Sequence, residues 1–562
     1  MRSGQQTADQ QTAGPAVWFG MAGLLILVAV PIAFVILQAV FPELGRGSFA
    51  RPFGQVAAVL GDPALLRLTR NTLLLGVCVV ALAAIIAVPL GFLRALYAVP
   101  LAPLWDVLFL VPFMVPPYIA TLGWIMTLQP RGYLAQLTSL HAGPFLFSFA
   151  GLVFVMALNL FPAIYFAVSR TAVAIGSRYA DVGRVCGAGP WTAFRRITLP
   201  LATPALVASA LLVFALTIEE YGTPAALGRQ SGYLVLVTAI ETRTADWPVD
   251  LPGAAILSLI LVLLSVGAFA LQLKILAGRS FETTGGKPQA FVPAPLGAMA
   301  LPVLIGFTLI ALLATGVPLF AILATALSRT ISGGLSPGNL GFENFEALLS
   351  LESGGLRALG NSLALGLATA LLTGFIGAMV AYAVVKTRFR GKAVFDALSM
   401  LPNALPGVVV AVGLILAWNR PLPLSPYNTP FILLLAYSCI LLPYPIRYAN
   451  AALRQINDNL EAAARVSGAS SLTSLRRIVL PLIWPSLLSA MLLVFAVASR
   501  ELVASVLVAP VGMMTVATFI WRQFEQGSIG LGMAMSTIAL IVTLSVPLAI
   551  TALTRGMGGI AR

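Results

Sequence analysis

Charged side chains are scarce in this chain. Asp, Glu, Lys and Arg together account for 9% of its 562 residues, whereas a typical soluble domain carries about 25% charged residues. Hydrophobic residues make up 59% of the sequence, and the mean hydropathy is +0.97. Apolar runs of about 20 residues, the length that crosses a bilayer, recur along the whole chain. The composition therefore excludes an ordinary soluble enzyme, a disordered chain and a coiled coil, and it indicates a membrane protein.

Side chains suited to metal binding or redox chemistry are also few. The only histidine is His141, so a site built from several histidines is impossible within this chain. Cys78 and Cys439 fall inside apolar runs and Cys186 falls in a polar loop, a distribution that implies no disulfide. Because acid–base candidates are so few, we expect a transporter rather than an enzyme, with no catalytic residue. The identity of any metal ligand stays open.

The apolar runs predict an all-α polytopic membrane protein with about twelve transmembrane helices. Each run is long enough to cross about 30 Å of hydrocarbon at about 1.5 Å per residue. The predicted spans are 17–41, 71–95, 103–127, 147–169, 201–219, 253–276, 298–326, 361–385, 394–418, 428–449, 482–499 and 529–554. Two shorter apolar segments, 232–240 and 513–521, are predicted to be interfacial or re-entrant helices. The prolines predicted to kink or break helices are Pro112, Pro116 and Pro117 in the third span and Pro402 and Pro406 in the ninth.

Lysine and arginine fall mainly on one side of these spans. If the N-terminus is cytoplasmic, the cytoplasmic segments hold 21 of the 33 basic residues and 7 of the 19 acidic ones, and the outer segments hold 12 of each. The net charge of +14 then lies entirely on the cytoplasmic face, as the positive-inside rule requires. We therefore predict that both termini are cytoplasmic. The basic excess is interpreted as membrane topology beside the lipid bilayer, and no nucleic-acid partner is expected.

The chain contains an internal duplication. Residues 195–206 read RRITLPLATPAL and residues 476–487 read RRIVLPLIWPSL, an offset of 281 that also relates Glu220 to Glu501. Further upstream the matching positions are offset by 290, so the first half has nine extra residues in the outer loop that contains His141. Each half has six spans, an even number, and both halves therefore enter the membrane in the same direction as parallel repeats.

The duplication defines the predicted domains. The first six-span half is 1–276, with a core at 66–276, and the second is 298–562, with a core at 357–554. Residues 277–297 connect them and are polar and rich in Gly and Pro, as a flexible cytoplasmic linker should be.

One long loop follows the fourth span of each half, and we call these two loops the first and second repeat loops. The first, residues 177–200, reads SRYADVGRVCGAGPWTAFRRITLP, and the second, residues 459–481, reads NLEAAARVSGASSLTSLRRIVLP. Each pattern predicts a short helix, a Gly-Ala break, a second helix and a proline that restarts the chain into the next span. Short exposed helices of this kind are suited to docking into a groove of a cytoplasmic partner.

The repeat loops resemble the EAA loop of binding-protein-dependent ABC importer permeases. That pattern runs Glu-Ala-Ala, three residues, Gly, about nine residues, then Ile-x-Leu-Pro, and the resemblance extends over each six-span half. The first copy has Asp181-Val-Gly where Glu-Ala-Ala is expected, and the second has its glutamate one place early, at Glu461. The residues that the resemblance assigns to ATPase coupling are Asp181, Arg184, Gly187, Ala188 and Pro200 in the first loop and Glu461, Arg465, Gly468, Ala469 and Pro481 in the second.

The resemblance implies a type I, MetI-like permease in the bacterial inner membrane. In that family the loop is a coupling helix that sits in a cleft of a cytoplasmic ATP-binding subunit. The chain has no Gly-x-x-x-x-Gly-Lys-Ser/Thr segment to hold nucleotide phosphates. The implied partners are therefore two copies of a separate ATPase, which would bind ATP and Mg²⁺, and a periplasmic substrate-binding protein.

The implied substrate is ferric iron. The stretch around Glu219, Glu220 and Tyr221, and Arg500 with Glu501 in the second half, resemble stretches of fused ferric iron permeases. Fe³⁺ prefers oxygen ligands, and acidic side chains near span ends are candidates for the translocation path or a gate. The alternative is that these carboxylates cap helices or pair with Arg500. The same architecture importing thiamine, a phosphonate or a polyamine also stays open.

A secondary transporter with two parallel six-span halves is the more distant alternative. It would need ionisable coupling groups at mid-membrane, and such side chains are almost absent from the predicted spans. It would also leave the duplicated repeat loops without a role.

Overall fold

The computed structural model describes residues 15–558 except 176–186, 188, 278–292, 351, 388, 390, 421 and 422. Within these ranges the chain is helical, and it contains no β-strand apart from two isolated bridges. The predicted all-α polytopic class is confirmed. Asp181, Arg184 and Ala188 of the first repeat loop and most of the 277–297 linker lie outside the described residues.

The described helices follow the predicted order of spans, and we number them α1 to α12. Eight are single helices long and apolar enough to cross a membrane, three are bent pairs that pass the same test together, and the last is apolar over Ile529–Ser545. They are α1 Val17–Val40, α2 Pro63–Leu96, α3 Ala102–Met114 with Pro117–Thr138, α4 Phe149–Ile175, α5 Trp191–Glu219, α6 Leu251–Leu276, α7 Gly297–Leu327, α8 Gly355–Lys386, α9 Lys392–Ala404 with Gly407–Trp418, α10 Pro430–Leu441 with Pro443–Leu453, α11 Leu475–Ala498 and α12 Ile529–Gly558. The segments expected to be too short to span form helices Leu236–Ala245 and Val516–Glu525.

Four spans contain a π-helical turn that ends two residues before a proline. These turns are Leu25–Ala29 before Pro31, Phe194–Thr198 before Pro200, Leu312–Gly316 before Pro318, and Leu475–Val479 before Pro481. A proline has no N–H and its ring collides with the carbonyl four residues earlier, and the wider π-turn accommodates both defects. The prediction that Pro200 and Pro481 restart the chain is therefore wrong. The chain is already helical from Pro190 ahead of α5 and from Ser471 ahead of α11, and both helices continue through their prolines.

The predicted breaks in the third and ninth spans are confirmed. Helix α3 bends by 99° between Met114 and Pro117, and α9 bends by 113° between Ala404 and Gly407. The break in each span includes a proline, Pro116 or Pro406. The residue before it is extended and cannot continue the helix. The two halves therefore carry the same broken helix at repeat-equivalent positions.

Two compact units group the helices differently from the sequence repeats. One unit comprises residues up to Leu60, Ile240–Val262 and the chain from Phe345 onward. The other comprises Gly61–Ala239 and Leu263–Asn344. Helix α1 therefore packs with the second-half helices α8 and α9, and α7 packs with the first-half helix α3. Each half contributes its first helix to the compact unit built on the other half.

A glycine permits this packing in each unit. A Cβ added at Gly413 of α9 would lie 2.5 Å from the carbonyl oxygen of Pro31 in α1. A Cβ added at Gly123 of α3 would lie 2.8 Å from the carbonyl oxygen of Pro318 in α7. Gly123 and Gly413 are equivalent in the repeat, at an offset of 290. Small residues let helix backbones approach closely in a membrane, and here the same approach occurs twice.

Replacing Gly413 with alanine tests this packing. The added methyl group would overlap the α1 backbone, and we expect Gly413→Ala to lower the free energy of unfolding by about 1–3 kcal/mol. Gly407→Ala in the same helix is the matched control, because its Cβ would meet its nearest atom at 3.5 Å, an ordinary contact. Thermal unfolding of both purified variants in detergent measures the difference. Equal stability of the two variants would refute the close approach.

Candidate functional site

The second repeat loop folds as a helix, a glycine turn and a second helix. Helix Asp458–Val466 ends where the Ala469 amide donates to the Ala464 carbonyl at 2.9 Å and Gly468 takes φ +83°. This bond across a left-handed glycine is a Schellman cap. The chain is helical again from Ser471 and runs on into α11. The predicted helix, Gly-Ala break and second helix are confirmed for this loop.

The glycine turn is repeated in the first loop. Gly187 takes φ +85°, close to the value at Gly468. A Cβ at either glycine would meet no atom within 4 Å. The requirement for glycine is therefore the left-handed backbone conformation and not the available space.

Both loops expose large apolar side chains. In the first, Trp191 is 69% exposed and stacks on Phe194, with ring centroids 5.6 Å apart. Phe194 in turn meets the ring of Phe92 in α2 edge-on at 4.9 Å. In the second, Leu460 is exposed and Val466 is 91% exposed. Exposed apolar groups on short helices provide a surface for a protein partner.

Glu461 points into the protein. Its carboxylate accepts a hydrogen bond from the Tyr382 hydroxyl at 3.1 Å and lies 4.0 Å from the Lys386 Nζ, and the side chains of Lys386 and Glu461 are 7% and 5% exposed. The Lys386 Nζ also donates to the Ile456 carbonyl at 3.0 Å. Sequence reasoning missed Tyr382 and Lys386, whose only signal is their spacing of four residues at the end of α8. Arg465 lies on the same short helix as Glu461, and its side chain is outside the described part of the structure.

The acidic pair at the end of α5 has two different environments. Glu219 is the last residue of α5. Its carboxylate faces the Ser265 hydroxyl of α6, and its buried Oε1 has no hydrogen-bond partner among the described residues. The Glu220 carboxylate accepts the Thr223 amide at 2.9 Å, which caps the short helical segment that follows. Tyr221 is buried beside it.

Glu501 has the same geometry as Glu220 in the second half. Its carboxylate accepts the amides of Val503 and Ala504 at 3.1 and 3.0 Å and so caps helix Val503–Val508. Arg500 lies in the turn that ends α11. Helix capping, the structural alternative, therefore applies to Glu220 and Glu501, and a role in the path stays a prediction. In the described part of the chain, no group of three or more His, Cys, Asp and Glu is placed to hold a metal ion.

A repeated polar contact fixes the segment after the fifth span of each half. The Asn71 amide group of α2 donates to the Leu234 carbonyl at 3.0 Å, and the Asn361 amide group of α8 donates to the Met514 carbonyl at 2.9 Å. The hydroxyl that follows each asparagine accepts an amide from the same segment, at 2.9 and 2.8 Å. The sequence reads Asn-Thr-Leu from residue 71 and Asn-Ser-Leu from residue 361, but this pattern alone does not predict the contact. The start of α2 and of α8 thus positions the short helices Leu236–Ala245 and Val516–Glu525.

Several known proteins are similar to this chain. A ferric transport system permease protein of Actinobacillus pleuropneumoniae is 27% identical over 505 residues, which are 88% of this chain and 72% of that protein. A permease assigned to 2-aminoethylphosphonate transport in Salmonella typhimurium is 26% identical over 241 residues, 43% of this chain and 89% of that protein. A solved chain of a bacterial ABC transporter involved in the import of the acidic polysaccharide alginate is 21% identical. It aligns with 46% of this chain and 94% of its own length, at a TM-score of 0.37.

A family model matches the chain twice. The model for the inner membrane component of binding-protein-dependent transport systems matches residues 84–278 and again residues 371–559. The same model matches twice along the chain, which confirms the duplication, and together the two matches cover more than half of the sequence. The chain therefore belongs to the binding-protein-dependent transport system inner membrane components, the multi-pass permeases of ABC importers.

Proposed function

We propose that this permease imports ferric iron, with ATP hydrolysis in separate subunits coupled to transport through the two repeat loops. The observation that carries the coupling proposal is the pair of left-handed turns at Gly187 and Gly468, each leading into a span of its own half. Two left-handed glycines at repeat-equivalent positions support two docking elements for two copies of one partner. The chain itself is not an enzyme on this proposal.

The proposed orientation places both termini and both repeat loops in the cytoplasm. The distribution of basic residues supports it, because this arrangement puts 21 of 33 lysines and arginines on the cytoplasmic side. An ATPase can then reach the loops, and a periplasmic binding protein can reach the opposite face. The exposed Trp191 in the first loop and Val466 in the second are the side chains that we assign to ATPase docking.

The substrate proposal depends on relatives and on the chemistry of the acidic residues. The ferric transport permease of A. pleuropneumoniae aligns with 88% of this chain. Fe³⁺ is a hard cation that prefers carboxylate and phenolate oxygens. Among the residues proposed for the path or gate, Glu219 has a carboxylate oxygen without a hydrogen-bond partner in the described part of the chain. The other residues proposed for the path or gate are Glu220, Tyr221, Arg500 and Glu501. A phosphonate is the second candidate, because a 2-aminoethylphosphonate permease matches about half of the chain.

Introducing proline at both glycine turns tests the coupling proposal. Proline fixes φ near −65°, whereas Gly187 and Gly468 have φ +85° and +83°. We expect the double variant Gly187→Pro/Gly468→Pro to lose about tenfold or more of its ATP-driven uptake, since strain of this kind costs about 1–3 kcal/mol. Uptake and ATP hydrolysis are measured together in proteoliposomes that contain the ATPase and the binding protein.

The control for this experiment is Gly47→Pro. Gly47 has φ +77° in a loop on the opposite side of the proposed membrane, so the same backbone conflict arises away from the ATPase. We expect this variant to keep its uptake per ATP. Unchanged uptake by the double variant, with the protein still folded, would contradict the coupling assignment.

A deletion strain tests the substrate. Uptake of labelled ferric iron, thiamine and 2-aminoethylphosphonate is measured in parallel, with and without the gene on a plasmid. We expect loss of ferric iron uptake alone, because the alignment with the ferric permease spans both halves. Normal iron uptake with loss of another solute would overturn the substrate proposal and leave the importer architecture in place.

A further inference from the structure

The loop resemblance assigns Glu461 to ATPase coupling, although this residue stands one place before the glutamate of the EAA pattern. A carboxylate that serves a docking partner should be exposed. The Glu461 side chain is instead 5% exposed and contacts Tyr382 and Lys386, two residues of α8 that lie 79 and 75 positions earlier in the chain. We call Glu461, Tyr382 and Lys386 the Glu461 cluster.

We propose that Glu461 is a positioning residue that fastens the second coupling helix, Asp458–Val466, to α8, and is not a contact for the ATPase. The inference rests on the proposed function, because it assigns the way in which motion of that loop enters the membrane helices. On this proposal the short helix and the end of α8 move together as one body.

The chemistry of the Glu461 cluster favours such a role. Buried charges are tolerated where opposite charges and hydrogen bonds accompany them. Removing one partner leaves the other charge buried without compensation for its lost hydration. Tyr382 and Lys386 are four residues apart and lie on one face of α8, so both reach the same carboxylate. Lys386 also bonds to the Ile456 carbonyl, just before the coupling helix. The contacts at Ile456, before the coupling helix begins, and at Glu461, within it, fix the orientation of the helix as well as its position.

The sequence of the first half lacks the three residues of the Glu461 cluster at the repeat-equivalent positions. Phe92 and Leu96 stand at the repeat positions of Tyr382 and Lys386, and Ala180, outside the described residues, stands at the position of Glu461. None of these side chains is charged. Phe92 instead packs against Phe194 of the first repeat loop at 4.9 Å. Among the described residues, the contact at this position of the repeat is therefore apolar in the first half and a buried polar cluster in the second.

Helix α8 connects the cluster to a second contact far from the loop. It is helical without interruption from Gly355 to Lys386 and contains no proline. At its other end Asn361 holds the Met514 carbonyl, next to helix Val516–Glu525. About 25 residues separate Asn361 from Lys386, a distance of about 38 Å along the helix axis. A rigid α8 would therefore carry a displacement of the coupling helix to the segment after the eleventh span.

The test compares Glu461→Gln, Tyr382→Phe and the double variant in the full transporter. Glu461→Gln keeps the shape and removes the charge, and Tyr382→Phe removes one hydroxyl and is the milder change if the first variant folds poorly. Glu346→Gln, an exposed acidic residue distant in sequence from the repeat loops, is the matched control. The measurements are ATPase binding to the permease, uptake per ATP in proteoliposomes, and amide hydrogen exchange of residues 458–466 in the permease alone.

The proposal predicts a specific pattern. Exchange in residues 458–466 should become about tenfold faster in Glu461→Gln and Tyr382→Phe, as expected for loss of a hydrogen bond to a charged group. Uptake per ATP should fall in both, and ATPase affinity should stay within about twofold of the wild type, the size of an ordinary surface substitution. The double variant should be no worse than Glu461→Gln, because both changes remove one shared interaction. The control should match the wild type throughout.

Two results would overturn the proposal. Unchanged exchange in both variants would show that the cluster does not hold the helix. If Glu461→Gln weakened ATPase binding about tenfold and Tyr382→Phe did not, Glu461 would be a docking contact. A tenfold loss is the size expected when one hydrogen bond to a charged group is removed. The exchange measurement needs no ATPase, so it decides the Glu461 cluster even if the wild-type chain shows no ATP-driven uptake and the proposed function fails.

Discussion

Backbone hydrogen bonding inside the bilayer is the constraint on which this structure depends. Hydrocarbon offers no partner for a free N–H or carbonyl, so a span must satisfy these groups within its own helix. This sequence nevertheless contains 38 prolines, each of which lacks an N–H. The described spans accommodate proline in three ways. A π-turn precedes it in α1, α5, α7 and α11, the helix bends at a break in α3, α9 and α10, and Pro89 and Pro162 lie inside the continuous helices α2 and α4. A break in a helix leaves backbone groups without helical hydrogen bonds, which is tolerated in a membrane where these groups are buried in protein or line a cavity.

A π-turn and a break in a helix have different consequences for motion. A π-turn keeps the helix continuous, so α5 and α11 connect the repeat loops directly to the residues at their far ends. A broken helix has two segments that can change their angle without stretching any hydrogen bond. The breaks of α3 and α9 occur at positions related by the repeat, whereas α10 is bent before Pro443 and α4 continues through the equivalent Pro162. A transporter that alternates between two open states needs both properties, stiff elements that carry a displacement and joints that absorb it.

The sequence predicts part of this architecture and fails at identifiable places. Apolar runs locate the spans because hydrophobicity along the chain is local information. The true start of α5 at Trp191 is hidden because Arg195 and Arg196 interrupt the apolar pattern, while the backbone helix continues through them. The sequence does not predict that α1 and α7 each pack in the compact unit built on the other half, because an apolar run does not specify which helix it packs against. The packing of α1 on α8 and α9 and of α7 on α3 reveals it, with the close approach at Gly123 and Gly413.

The repeat loops show the same limit at the level of single residues. The Gly-Ala pair predicts the turn because a left-handed backbone favours glycine, which is a property of one residue. The direction of Glu461 depends on Tyr382, which is distant in the chain, and no local pattern contains it.

The placement of side chains on helix Asp458–Val466 explains how one short element can serve two purposes. Glu461 points inward to α8, and Leu460 and Val466 of the same helix are exposed. Apolar contacts alone allow a helix to rotate or slide, because many arrangements bury similar area. A buried carboxylate has few arrangements that satisfy its charge, so it favours one orientation. If the docking surface must meet its partner at a fixed angle, a buried polar contact and exposed apolar groups achieve this within about two and a half turns of helix.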